Sequence, residues 1–195
     1  MCGRYYIADE DSTIELREII QEAQNNLRYA DMASQIKTGE IFPTNVAPVA
    51  TSDGAIPMKW GFPRWDDKGH IINARSETAF EKNMFRNSLL ERRCAIPATG
   101  FYEWRLEEGA KKKTKYLFQP SNSAILYMAG CFKIVNDVPV FVILTTEANE
   151  SIRPFHNRMP VMLQSPTLEC WLDTYCDIGS VFKQEEPVLI AEKVK

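Results

Sequence analysis

Between residues 12 and 27, apolar side chains fall at Leu16, Ile19, Ile20, Ala23 and Leu27. Steps of three and four place them on one face of a helix. Ser12 and Glu15 have the spacing of a capping box and set the expected start. A second helix is expected over residues 77–91, with Ser76 as its cap and Phe80, Met84 and Leu89 turned inward. A third, short helix starts at Ser165, with Pro166 at its first helical position. The rest of the chain changes period. Short runs rich in β-branched and aromatic residues, separated by turn signals, occupy 93–98, 101–106, 115–119, 124–132, 138–145, 159–163 and 187–191. Residues 107–114 are charged and read as a hairpin loop, with Lys111, Lys112 and Lys113 in a solvated turn. No repeat, low-complexity tract or linker interrupts this order. The expectation is one α+β domain over residues 1–195, a mainly antiparallel, barrel-like sheet with flanking helices.

Composition narrows the class. Of 195 residues, 45% are hydrophobic and 25% charged, as in a soluble globular protein. No run approaches the ~20 apolar residues that cross a bilayer. The start, Met-Cys-Gly-Arg-Tyr-Tyr, lacks the pattern of a secretory signal, so a cytoplasmic protein is expected. The five cysteines include no C-x-x-C pair, and there are only two histidines, His70 and His156. That argues against a structural zinc site and for free thiols in a reducing compartment. Cys94 and Cys131 lie in apolar runs and are expected in the core. A net charge of −3 disfavours a generic nucleic-acid binder, so any DNA contact must come from local arginines.

Cys2 carries the most distinctive chemistry. A small residue after the initiator Met allows that Met to be removed, leaving an α-amine and a thiol on one residue. An α-amine titrates near 7.7–8.0 and a lysine near 10.4, so the neutral amine is roughly 300-fold more available at neutral pH. Such an amine adds to an aldehyde to give a Schiff base. The adjacent thiol then closes a thiazolidine ring, helped by its high effective molarity. An ordinary second residue is the plain alternative.

Three further segments hold candidate groups. In Asn73-Ala74-Arg75-Ser76-Glu77-Thr78 a strand ends and a helix opens. Asn73 there could orient an amine or a sugar hydroxyl, and Arg75 could seat a phosphate. An Asx turn with a surface arginine fits the spacing as well. In Gly100-Phe101-Tyr102-Glu103-Trp104, alternation sets Glu103 opposite Tyr102 and Trp104. Burial of the aromatic side is the simple choice, so Glu103 needs a cleft if it is to transfer protons. In His156-Asn157-Arg158-Met159-Pro160, His156 is either a proton shuttle or a structural histidine, and Arg158 offers a second phosphate fork.

Together with Met1-Cys2-Gly3-Arg4, Asn45-Val46-Ala47-Pro48 and Trp60-Gly61-Phe62, these blocks resemble the SRAP family, the SOS-response-associated peptidases. The likeness runs from residue 2 to about residue 172. Lys113-Thr114-Lys115-Tyr116 departs from the family's Lys-x-Pro-aromatic pattern. The resemblance implies a compact, mostly β fold and autocatalytic removal of Met1. It also implies an abasic-site sensor that forms a thiazolidine crosslink between Cys2 and abasic sites in single-stranded DNA, with lyase activity left open. By resemblance, Asn73 positions the Cys2 amine, Glu103 assists proton transfer, and His156 opens the sugar ring. Arg4, Arg75 and Arg158 hold phosphates, while Trp65, Met84 and Phe85 stack on or wedge against bases. The expected protein is a monomer that needs no metal, organic cofactor or membrane and joins the nucleoid only when crosslinked.

Two other classes compete. A cysteine peptidase or hydrolase would use Cys2 as thiolate and His156 as base on protein or amide substrates. A non-catalytic single-strand binder would be indifferent to Cys2 and steeply salt-dependent.

Overall fold

The computed structural model describes residues 2–8, 13–66, 68–177, 179, 181–184 and 187–194, the side chain of Lys183 excepted. Along them run β1 (Tyr5–Ile7), α1 (Ile14–Gln24), α2 (Ala30–Ala33), β2 (Gly39–Ile41), β3 (Val46–Thr51) and β4 (Gly54–Trp60). Then come β5 (Phe62–Pro63), β6 (His70–Ile71), β7 (Asn73–Arg75), α3 (Ser76–Ala79), α4 (Asn83–Glu91), β8 (Arg93–Ala98) and β9 (Gly100–Arg105). The last are β10 (Thr114–Pro120), β11 (Leu126–Val135), β12 (Val138–Glu147), β13 (Arg158–Pro160), β14 (Met162–Leu163), α5 (Ser165–Leu172) and β15 (Leu189–Lys193).

Five strands close on themselves. β12 pairs with β4, β4 with β3, β3 with β8, β8 with β11, and β11 again with β12. The β12–β4 and β12–β7 pairings are parallel, and the others in the ring are antiparallel. Successive side chains on a strand point to opposite faces. Ala47, Val49, Met58, Trp60, Cys94, Ile96, Met128, Phe141 and Ile143 therefore share one core. Ala95, Ala129, Cys131, Val140, Val142 and Leu144 face a second, which Phe85, Leu89 and Trp171 cover. Burial on both faces explains why β8 and β12 read as nearly unbroken apolar runs. A separate sheet, ordered β15-β10-β9-β1-β2, extends the first core through Tyr5, Ile7, Ile41, Phe101 and Phe118.

Several expectations need correction. The sequence expectations include no strand at β3 or β4, each of which carries a proline, Pro48 and Pro57. They stand opposite each other, and a facing pair without N–H groups belongs to the non-hydrogen-bonded kind. Each proline then turns its nitrogen toward the outer neighbour. Those outer pairings lie clear of the prolines, at Ala50↔Ala95 and at Lys59 and Trp60.

Helix α1 is shorter than its apolar stripe. Thr13 caps it, its side chain accepting from Leu16 N–H, whereas Ser12 lies outside the described residues. Leu27 falls in a following 3₁₀ turn and is exposed. The second helix is two. Lys82 takes extended backbone, and Ser76 is a first helical residue rather than a cap. The break resets the register, so Phe85, Ser88 and Leu89 are buried and Met84 is 36% exposed. Phe80 instead meets Phe182 from its own short turn.

The expectation of free thiols fails at one pair. Cys170 and Cys176 form a disulfide, since the turn after α5 brings the chain back on itself. Arg93 donates to the carbonyls of Asp173 and Cys176 and so ties that turn to β8. Cys2, Cys94 and Cys131 are free and buried. No helix among the described residues is long and apolar enough to cross a membrane.

Burial raises all three free thiols. Cys131 is pushed up to about 12, and Cys2 and Cys94 are also raised. The fold thus favours their neutral forms. Their contribution is complete below the unfolded thiol value near 9 and is lost as pH climbs through the folded values. The denaturant midpoint should hold level up to about pH 8.5 and fall steadily toward pH 11. A midpoint flat across that range in equilibrium unfolding contradicts the burial of these thiols.

Candidate active site

Register places the N-terminal segment against Glu103. Tyr5 stands opposite Phe101, and Tyr102 N–H donates to Arg4 O at 2.9 Å. Carrying that antiparallel register two steps further brings Gly3 opposite Glu103. On β9, Phe101 and Glu103 point to the core side, and Glu103 is only 4% exposed. The cleft that Glu103 needed is therefore inward. Tyr102 and Trp104 lie on the outer face, under a cover of cations.

Asn73 arrives from the barrel. β7 runs parallel to β12 with Asn73 beside Ile143. Its Nδ2 donates to the Cys2 carbonyl at 2.9 Å, joining residues far apart in sequence. Its Oδ1 is buried and has no hydrogen-bond partner among the described residues. An unmet buried acceptor costs about 1–3 kcal/mol, so its retention beside Cys2 calls for a donor.

The Cys2 thiol is fully buried and donates to Arg4 O at 3.6 Å. Desolvation first, and the charge of Glu103 second, raise it above the ordinary thiol range. Cys2 and Glu103 therefore lie within each other's field, with the thiol protonated at neutral pH. The Tyr5 hydroxyl is also buried, without a partner among the described residues, and sequence reasoning missed it.

His156 reaches this side through its neighbour. The Phe155 ring meets Tyr116 at 4.8 Å and Phe118 at 4.9 Å, both edge to face, and Tyr116 is registered opposite Glu103. His156 Nδ1 accepts from Arg158 N–H at 2.9 Å, so a neutral ring carries its proton on Nε2. A hydrogen bond thus joins Asn73 to Cys2 and charge links Cys2 with Glu103, whereas His156 is held by the Arg158 backbone next to Phe155.

The arginines differ. Arg75 is exposed at the end of β7. Arg158, expected to fork a phosphate, forks Glu77 at 2.6 and 2.8 Å and also donates to Thr145 O at 2.6 Å. Those hydrogen bonds hold the Glu77 carboxyl below its ordinary value. Arg4 pairs with Glu40 at 2.8 Å and lies 3.7 Å over the Phe42 ring. Trp65 is 88% exposed on the β5–β6 loop and Met84 stays accessible. Phe85, expected to wedge against bases, is instead buried against Phe62, because α4 turns it inward. Sequence reasoning also missed Glu40, Glu77 and Lys115, whose partners come from distant segments. Among the described residues, no group of three or more His, Cys, Asp or Glu could hold a metal ion.

A cavity of about 500 Å³ lies at the start of β8, lined in part by Arg28, Asp53, Arg92, Arg93 and Ile134. It contains none of these candidate residues.

The chain is 35% identical to abasic site processing protein YoqW of Bacillus subtilis, covering 89% of this chain and 80% of that protein. It is 31% identical to abasic site processing protein YedK of Escherichia coli, covering 60% of this chain and 54% of that protein. A crystal structure of a Bacteroides thetaiotaomicron protein superposes with a TM-score of 0.81 at 22% identity, covering 100% of this chain and 92% of that one. A Bordetella bronchiseptica protein superposes with a TM-score of 0.73 at 22% identity, covering both chains fully. These two likenesses establish the fold. The profile of SOS response associated peptidase (SRAP) matches residues 1–188, and the chain belongs to that family.

Proposed function

We propose that this protein processes abasic sites by capturing them covalently on Cys2, in single-stranded DNA, after hydrolysis removes Met1. The observation that carries this reading is the Asn73–Cys2 contact. The Asn73 amide fixes the Cys2 carbonyl, and its own oxygen is a buried acceptor beside the same residue. An α-amine at Cys2 supplies the missing donor. The names of the relatives, abasic site processing proteins, support the same substrate.

The chemistry balances on these residues. His156 protonates the ring oxygen of the abasic sugar and exposes the aldehyde. The neutral Cys2 amine adds to the aldehyde carbon, and loss of water gives an imine. The thiol then adds across C=N, its proton passing to nitrogen, and the thiazolidine closes. Glu103 moves protons in the dehydration and in the attack of water on the Met1–Cys2 bond. The thiol need not be ionised in advance. Burial and the Glu103 charge keep it neutral, which suits ring closure and argues against a standing thiolate nucleophile. Arg75 and exposed Trp65 supply contacts to the flanking strand.

The test is incubation with an oligonucleotide bearing one abasic aldehyde, followed by a denaturing gel. Wild-type protein should give a single shifted band. Glu103→Gln should slow its appearance by about 100-fold, the scale of a lost proton-transfer group. No band with wild-type protein, or equal rates for the two, contradicts the assignment.

A further inference from the structure

Lys115 stands in the segment whose sequence departs from the family pattern, and the mechanism above makes no use of it. It lies on β10 opposite Trp104, on the face of the five-stranded sheet turned away from Glu103. Its Nζ is 2.6 Å from Glu40 Oε2 and 3.9 Å from the Tyr102 ring centroid. Arg4 reaches the other Glu40 oxygen at 2.8 Å and covers Phe42. Both cations sit 5.8 Å from the Trp104 ring. Burial alone would raise Glu40, but hydrogen bonds from Lys115 and Arg4 outweigh it and hold the carboxylate charged.

The balance of charge matters here. One carboxylate bridges two cations, so the cluster keeps a net positive charge. All three side chains stay partly open to solvent, at 33% for Arg4, 23% for Lys115 and 27% for Glu40. The rings beneath hold the ammonium and guanidinium groups in place by cation–π attraction. A carboxylate held between two preset cations occupies the position that a phosphodiester oxygen would take.

We propose that Lys115 adds to Arg4, whose phosphate contact the family resemblance already implies, a second cation of one phosphate seat on the outer sheet face, in which a backbone phosphate of the bound strand displaces Glu40. The seat lies across the sheet from Glu103, with Arg4 two residues beyond Cys2, so the strand would pass over the end of the sheet where β1 begins, next to the reacting residue. This inference rests on the reading of the protein as a single-stranded DNA binder. Glu40 is then a positioning residue that holds the two cations together until a phosphate takes its place.

The test measures reversible binding to an oligonucleotide carrying a tetrahydrofuran abasic analogue, which has no aldehyde, across a salt series. Lys115→Gln should weaken binding about fivefold near 0.1 M salt. It should also shallow the log–log salt slope by about 0.7, the loss of one phosphate contact on a single strand. Lys115→Arg should restore the slope. Glu40→Gln should tighten binding several-fold, because the competing charge is gone. A triad that only braces the sheet would lower the melting temperature in these variants and leave affinity and slope at wild-type values, which overturns the seat. Wild-type protein that gives no adduct with the reactive abasic oligonucleotide defeats the covalent reading instead, and the salt series reports on the seat either way.

Discussion

Cys2→Ala should yield no adduct that survives denaturation, whatever the incubation time. Alanine keeps the α-amine, so an imine still forms, but nothing closes over it and water returns it to aldehyde. Borohydride added during incubation should therefore trap Cys2→Ala and Cys2→Ser, while the wild-type band forms without reductant. In the proposed adduct the ring would carry the stability, because its closure is intramolecular, with the thiol on the same residue as the amine. The contrast with a cysteine hydrolase is sharp. A hydrolase would need the thiol lowered toward neutrality, whereas here desolvation and Glu103 both push it up. A reductant-free adduct of equal yield from Cys2→Ala would exclude the thiazolidine.

Trp60 is expected to give the largest loss of stability. Its indole is fully buried, stacks on Phe141 at 6.3 Å and meets the Tyr5 ring edge-on at 5.1 Å. Its Nε1 donates to Ile72 O at 3.0 Å, one residue before Asn73. Trp60→Ala should cost about 3–5 kcal/mol, the range for emptying a large aromatic site. Trp60→Phe keeps most of the volume but removes one of two donors to the Ile72 carbonyl, which still accepts from Ile143 N–H at 3.1 Å, at about 0.5–1.5 kcal/mol. Because Ile72 leads directly into Asn73, Trp60→Phe should also slow adduct formation at a temperature where the variant is fully folded. Denaturant unfolding beside a single-turnover gel separates the two effects. Unchanged stability in Trp60→Ala contradicts the packing described. Next to it, Gly61 has a φ of +115°, and a Cβ there would stand 2.9 Å from His70 Cβ, so only glycine lets β4 turn into β5.

Much of this was legible in the sequence, for physical reasons. β8, β11 and β12 announce themselves because both their faces are largely buried and their residues are apolar and branched. The Glu103 cleft was posed correctly by alternation, but the choice of face was not. Tyr102 and Trp104 look like core residues until Arg4 and Lys115 come to cover them, and those cations are contributed from other strands. β3 and β4, not expected from the sequence, each carry a proline, and only the fold reveals the pairing of the two. Phe85 was misplaced because a helix break at Lys82 shifts the register, and no proline or glycine marks it. Asn73 is a candidate through the family resemblance, its spacing fitting an Asx turn as well, and its hydrogen bond to Cys2 depends on β7 lying parallel to β12, a pairing between strands distant in sequence. The Cys170–Cys176 disulfide likewise follows from the turn after α5 rather than from any spacing rule.

Intact-mass spectrometry of the purified protein, before and after exposure to an abasic oligonucleotide, bears most directly on the whole account. The prediction is a mass short by one methionine, then a single addition equal to the oligonucleotide less one water. A protein that keeps its first residue and still becomes linked to DNA would contradict it.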